Sequence, residues 1–129
     1  MLSNKLRKQI QQLKLKKFRK QYNLFVAEGE KVVLDLLSAE FISEVLLATK
    51  EFASIEPFRI TTQEMRSITH FSSPSPIMGV FQIPNHTIDS VPTFQLVLDQ
   101  IKDPGNLGTI IRTSDWYGLS QIVCSLESV

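Results

Sequence analysis

The chain has 129 residues, 43% apolar and 21% charged, which excludes a disordered or fibrous protein and leaves room for one domain, or for one small domain with part of another. No apolar run approaches the ~18 residues of a membrane span, and no secretory apolar core follows the basic N-terminus. The single cysteine, Cys124, excludes an intrachain disulfide and a cysteine-based metal cluster, so the composition predicts a cytoplasmic protein without a metal site or a membrane partner.

The formal net charge of +1 conceals a segregation. Lys5, Arg7, Lys8, Lys14, Lys16, Lys17, Arg19 and Lys20 lie within residues 1–27, which contain no acid, whereas all 13 acidic groups fall in residues 28–129. Such a segment carries a local positive field, and a polyanion, RNA or DNA first, is its natural partner. A solvated helix face explains the same lysines equally well. Phe18, Tyr22 and Phe25 sit among or just after them, as core anchors or as platforms for stacked bases.

In chain order, Leu2, Leu6, Ile10, Leu13 and Phe18 recur at helical spacing and predict a basic amphipathic helix over residues 3–15. Phe25-Val26-Ala27 predicts a short strand. Val32, Val33, Leu36 and Leu37 make the apolar stripe of a helix over 30–39, with Glu30 near its start. Residues 42–48 and 58–60 read as strands, and Thr61-Thr62-Gln63-Glu64 as a capping box opening a helix to about Thr69. Ser72-Ser73-Pro74-Ser75-Pro76 is a loop, and residues 77–83 a closing strand. This alternation predicts a small three-layer α/β domain over 1–83, followed by a linker over 84–93. Glu28 and Lys31 read as structural; His70 and His86 read as solvated.

Residues 94–129 predict one strand–helix–strand unit: a strand over 94–99, a helix over 107–117 and a strand over 121–124. Gly118 falls where a helix C-terminal glycine belongs, and a crossover helix makes the two strands parallel. A unit this short, below about 40 residues, must pack on something else. Trp116 and Tyr117 read as packing at a domain or dimer surface. The Pro-Gly turn after the first strand places Gly105, Asn106, Gly108 and Arg112 at a strand end, where α/β proteins build sites. Asn106 is a helix N-cap or a substrate ligand; Arg112 is a solvated partner of Asp115 or a phosphate-binding group. No G-x-G-x-x-G or G-x-x-x-x-G-K-[ST] occurs, so a dinucleotide or triphosphate site is unsupported.

Asp103-Pro104-Gly105-Asn106-Leu107-Gly108 with Arg112-Thr113 resembles the first signature motif of the SpoU (TrmH-type) RNA ribose methyltransferases of the SPOUT superfamily. Lys17 to Lys20 with Phe25 to Lys31 resembles the opening of the substrate-binding domain of that family. Ser72-Ser73-Pro74 with Met78-Gly79-Val80-Phe81 resembles its closing strand, with Met78 where a glutamine is usual. The resemblance implies an α/β/α RNA-binding domain over 1–83. Residues 94–129 then hold the first strand–helix–strand of a trefoil-knot methyltransferase domain, its knot not completed within these residues. It implies S-adenosylmethionine as methyl donor, bound by motifs expected beyond Val129, so that the 129 residues alone are expected to be inactive. It also implies a homodimer when complete, a structured rRNA or tRNA as substrate, and catalytic roles for Asn106 and Arg112. RNA contacts are expected from Lys14, Lys16, Lys17, Arg19 and Lys20. A non-catalytic RNA-binding module without a donor site is the alternative, and an ordinary α/β domain with an incidental basic terminus the third reading.

Overall fold

The computed structural model describes residues 1–85 and 92–129, in two units, Met1–Asn85 and His86–Val129. Most of the expected linker, with His86, lies outside the described residues.

In the first unit Ser3 caps helix α1 (Asn4–Gln12) by accepting the Leu6 N–H. The stripe predicted to run on to residue 15 stops at Leu13, and a second helix the periodicity did not separate, α2 (Lys16–Tyr22), follows. Asn23 takes the left-handed conformation (φ 54°) that a short amide side chain tolerates, which ends α2 and turns the chain into strand β1 (Leu24–Glu28). Helix α3 (Glu30–Ser38), strand β2 (Ser43–Ala48) and the two-residue edge strand β3 (Phe58–Arg59) come next. Helix α4 (Thr62–Ile68) opens on the expected capping box, in which Thr61 and Glu64 satisfy each other's backbone N–H, and strand β4 (Ile77–Gln82) closes the unit.

The sheet has the order β1-β4-β2-β3, antiparallel except between β2 and β3. The side-chain alternation of β4, its most buried strand, sorts the core into two layers. Met78 and Val80 join Leu24 and Leu47 beneath α1 and α4, against Leu2, Ile10, Leu13, Met65 and Ile68. Ile77 and Phe81 face the other way with Ala27 and Ala48, against Val33, Leu36 and Leu37 of α3. The unit is the three-layer α/β/α sandwich that the alternation of elements implied.

Gly79 lies on that second face, and the fully buried Phe81 ring folds over it. A Cβ at position 79 would stand 2.3 Å from the Phe81 ring. The glycine is what lets Phe81 stack on Phe25, with centroids 5.7 Å apart.

Glu28, only 8% exposed at the end of β1, accepts the Thr69 hydroxyl and the His70 N–H (2.6 Å). His70 is half-buried rather than solvated as expected: its Nε2 lies 2.9 Å from the Ile10 carbonyl of α1. That carbonyl lies in the last turn of α1, where it accepts the Leu13 N–H at 3.2 Å and keeps a second lone pair for the imidazole.

In the second unit, β5 (Leu96–Leu98) and β6 (Ile122–Cys124) pair in parallel, as the crossover required, and α5 (Pro104–Trp116) joins them. Gly118 ends α5 at φ +74°, with its N–H donating to Asp115.

Two outcomes test this packing. Gly79→Ala is expected to destabilise the first unit by about 1–3 kcal/mol, the range for overpacking a filled core, read as a lower denaturant midpoint. Thr61 and Leu2 backbone N–H groups donate to Glu64 and hold its carboxyl below the ordinary 4.5. That stabilisation is present above the unfolded value and is lost as pH falls through the folded one. Glu64→Ala is therefore expected to lower the melting temperature at pH 7, with the gap to wild type narrowing below about pH 4.5.

Candidate functional site

The basic segment becomes a surface on α1 and α2. Leu2, Leu6, Ile10 and Leu13 point α1 at the sheet, which leaves two flanks. One flank, with Lys5, Lys8, Gln9 and Gln12, joins Tyr22 of α2 around a groove of about 280 Å³. Tyr22 donates from its hydroxyl to Gln12 at 3.2 Å, and its ring stacks on Phe18 at 6.1 Å and 12°. Phe18 and Tyr22 are therefore surface aromatics beside cations, while Phe25 is the core anchor, packed on Phe81 and Phe41.

Lys14, Lys16, Lys17 and Lys20 are exposed along α2 and the turn before it. Lys17 lies 4.8 Å over the Phe18 ring. Arg19 donates from Nη1 to the Leu13 carbonyl at 3.1 Å and the Lys14 carbonyl at 2.9 Å. This nitrogen ties α2 to the C-cap of α1 and the turn after it, so the expected RNA contact at Arg19 shares its guanidinium with a structural task. Lys5 and Lys8 belong to the same face and were absent from the expected contacts, although the charge asymmetry already contained them.

The α5 motif is built differently from its sequence reading. Asp103, not Asn106, is the N-cap: its carboxylate accepts the Asn106 N–H at 2.7 Å, and Pro104 takes the first helical position, where its missing N–H costs nothing. Helix α5 thus starts three residues earlier than the predicted 107. Gly105 has a cause in the same cap, since a Cβ there would stand 3.1 Å from the Asp103 carboxylate; Gly108 leaves open space beside α5. Asn106 and Arg112 are both exposed. Six residues apart, they lie ~9 Å apart along the axis and ~120° apart around it, so α5 does not set them side by side. Arg112 lies 3.5 Å from the Thr109 hydroxyl and makes no ion pair with Asp115, the partner its spacing had suggested. It lines a hollow of about 460 Å³ with Ser114, Asp115, Ser120 and Gln121.

The neighbouring hollow, about 270 Å³, is walled by Leu96, Ile110, Tyr117 and Leu119, with hydroxyls of Thr109, Thr113 and Ser114. Too small and too apolar for the adenosine and amino-acid ends of S-adenosylmethionine, it does not fit that group. Among the described residues no cluster of His, Cys, Asp or Glu fits a metal ion, and no helix is long and apolar enough to cross a membrane.

Residues 4–79 match the family of MRM3-like substrate binding domains. The chain is 30% identical to the Bacillus subtilis 23S rRNA (guanosine(2553)-2′-O)-methyltransferase RlmP, with 86% of this chain and 47% of that protein aligned. It is 25% identical to human mitochondrial rRNA methyltransferase 3, aligned over 31% of that protein. Among solved structures, a TrmH-family RNA methyltransferase from Porphyromonas gingivalis superposes with a TM-score of 0.83 at 29% identity, covering 100% of this chain and 54% of that one. An AdoMet-bound rRNA methyltransferase from Sinorhizobium meliloti superposes at 0.79 and 28% identity, with 54% of its chain covered. The chain therefore spans about half the length, or less, of the relatives it matches.

Replacing Arg19 by Lys keeps the charge and removes the fork that reaches two carbonyls. Arg19→Lys is expected to loosen α2 from α1, read as faster amide exchange at residues 16–22, without a change in net charge.

Proposed function

The chain belongs to the MRM3-like substrate binding domain family of the SpoU/TrmH RNA methyltransferases, and from that premise we propose that it is the RNA-capturing half, with the first catalytic motif, of an rRNA 2′-O-ribose methyltransferase. The observation that carries this reading is the union of a substrate-binding-domain match over residues 4–79 with an exposed cationic face on α1 and α2. Lys5, Lys8, Lys14, Lys16, Lys17 and Lys20 supply phosphate contacts, and Tyr22 with Phe18 a stacking platform beside them.

Arg112 is our candidate for the reacting end of the substrate. A guanidinium is a poor base and a good bidentate ligand for a phosphate, here the one beside the ribose. It also stabilises the negative charge that develops on the 2′-oxygen during attack, with solvent water accepting the hydroxyl proton. Asn106, one and two-thirds turns earlier, is our candidate for a second polar contact to substrate. S-adenosylmethionine supplies the electrophilic methyl group in the complete protein; we assign its pocket to the half of the relatives that this chain does not match, and no step is assigned to it here. On that reading the 129 residues bind RNA and do not transfer methyl groups by themselves, and the complete protein works as a homodimer in the cytoplasm, where the bacterial relative's substrate is made.

The poor fit of the apolar α5 hollow to a methyl donor favours a second reading, an RNA-binding module without catalysis. Two measurements separate the readings. A fluorescein-labelled rRNA hairpin titrated into the chain is expected to bind with a steep salt dependence. Joint replacement of Lys16, Lys17 and Lys20 by Gln should flatten the slope of log K against log salt by about 2, at roughly 0.7–0.9 per phosphate contact. A wild-type chain that fails to bind RNA at low salt would sink both readings. In a complete protein carrying this sequence, Arg112→Ala is expected to abolish methyl transfer while costing RNA affinity no more than one phosphate contact, about three- to tenfold at low salt. Transfer near the wild-type rate would remove Arg112 from the mechanism, and absence of transfer by wild type would favour the module.

A further inference from the structure

On the other flank of α1 the fold leaves a charged donor unsatisfied. Gln11 on that flank ties α1 to α4 by donating to the Ser67 carbonyl at 2.7 Å. Arg7, one turn earlier, has a buried Nε with no hydrogen-bond partner. A guanidinium N–H taken from water without an acceptor is costly to the fold, and native structures rarely tolerate one without a use. Arg7 lines an open cleft of about 630 Å³ with Met1, Arg59, Ile60, Thr61 and Glu64.

The one carboxylate present does not answer Arg7. Glu64 Oε1 accepts the Leu2 N–H at 2.6 Å, and Oε2 accepts the Thr61 N–H at 2.9 Å and the Thr61 hydroxyl at 3.1 Å. Its charge is committed to the capping box and to the chain entering α1. Arg59, from the edge strand β3, is anchored by Nη2 on the Thr49 carbonyl at 3.0 Å, which fixes where its guanidinium stands. Two guanidinium groups, one of them pre-positioned and the other short of an acceptor, therefore share one cleft. Planar forks of this kind match ligands that offer several anionic oxygens.

We propose that the cleft between α1, β3 and the start of α4 binds phosphate oxygens, with Arg7 and Arg59 as its ligands and an RNA phosphodiester as the occupant in the working protein. The inference rests on the RNA-binding reading above and adds to it a second phosphate contact, on the flank of α1 opposite the Lys5–Lys8–Tyr22 groove. RNA held on both flanks would straddle α1 rather than lie along one side of it.

The test uses the 129-residue chain labelled with nitrogen-15, sodium pyrophosphate as a probe of the anion site, and the fluorescein-labelled rRNA hairpin. Pyrophosphate is expected to move the Arg7 Nε–H resonance saturably, with the signal identified by its loss in Arg7→Met. Arg7→Met and Arg59→Met are each expected to weaken hairpin binding about three- to tenfold at low salt and to flatten the salt slope by about 0.7–0.9. Thermal melts report that each variant is folded, and Arg59, exposed on an edge strand, provides the reading if Arg7→Met melts early. A pyrophosphate shift with unchanged RNA slopes in both variants would overturn the RNA occupant and assign the cleft to a free polyphosphate. Unchanged slopes with no pyrophosphate shift would overturn the site itself while wild-type RNA binding still stood. Failure of the wild-type chain to bind the hairpin would count against the RNA-binding reading instead, and the pyrophosphate shift would then judge the anion site by itself.

Discussion

Glu28 ends β1 with its carboxylate almost closed off from water, and both oxygens are spent on the segment that leaves α4: the Thr69 hydroxyl and the His70 N–H. His70 in turn reaches the Ile10 carbonyl of α1. Burying a carboxyl group costs free energy unless protein donors replace the lost water, so these contacts are obligatory rather than decorative. Through them one residue of the sheet fixes the end of α4 and, by way of the imidazole, the helix that carries the basic face. The two flanks of α1 then have defined neighbours, α2 on one side and α4 on the other, and the cations of residues 1–20 are displayed from a fixed platform instead of a loose tail.

The platform also explains the uneven legibility of the sequence. Strands β1, β2 and β4 and helices α3 and α4 were readable because their apolar periods are dictated by two core layers, and alternation along Ile77 to Phe81 writes both layers into one strand. The break between α1 and α2 was not readable. Leu13 and Phe18 continue the apolar spacing across it, and the turn between them, with Leu15 extended and Arg19 reaching back to the Leu13 and Lys14 carbonyls, has no glycine or proline to mark it. At the start of α5, Asp103 and Asn106 are both favoured cap residues. Pro104 decides between them, because proline at the first helical position requires the cap immediately before it. The pattern of His70 gave no sign of its partner, which is 60 residues away in sequence. Arg7 shows the same limit from the other side. Its charge was plain, but an orphaned Nε becomes visible only when α4 and β3 are placed around it.

The two units differ in what holds them. The apolar clusters of buried residues belong to the first unit, whereas in the second only Leu98 is a buried apolar side chain among the described residues. The cause is geometric. Leu96 and Leu98 face α5, but the other face of the parallel pair carries Val97 and Val123 in register, with Val97 67% exposed. Parallel strands are stable when both faces are covered, because their pairing contributes less than apolar burial does. Trp116, 87% exposed at the end of α5, adds a large uncovered ring to the same unit.

This difference has a chemical consequence. A guanidinium exposed on α5, such as Arg112, sits in high dielectric, where its attraction to a developing oxyanion is weak and screened. The same group acts strongly only when water is excluded around it and its geometry is held by packing. Covering Val97, Val123 and Trp116 with a further protein layer would therefore do two things at once: bury apolar surface of the second unit, and lower the dielectric around α5. The exposed lysines of α1 and α2 have no such requirement, since attraction between surface cations and a polyanion acts in water. The sandwich thus carries its own two-layer core, while Arg112 is presented from an element whose one buried apolar side chain among the described residues is Leu98.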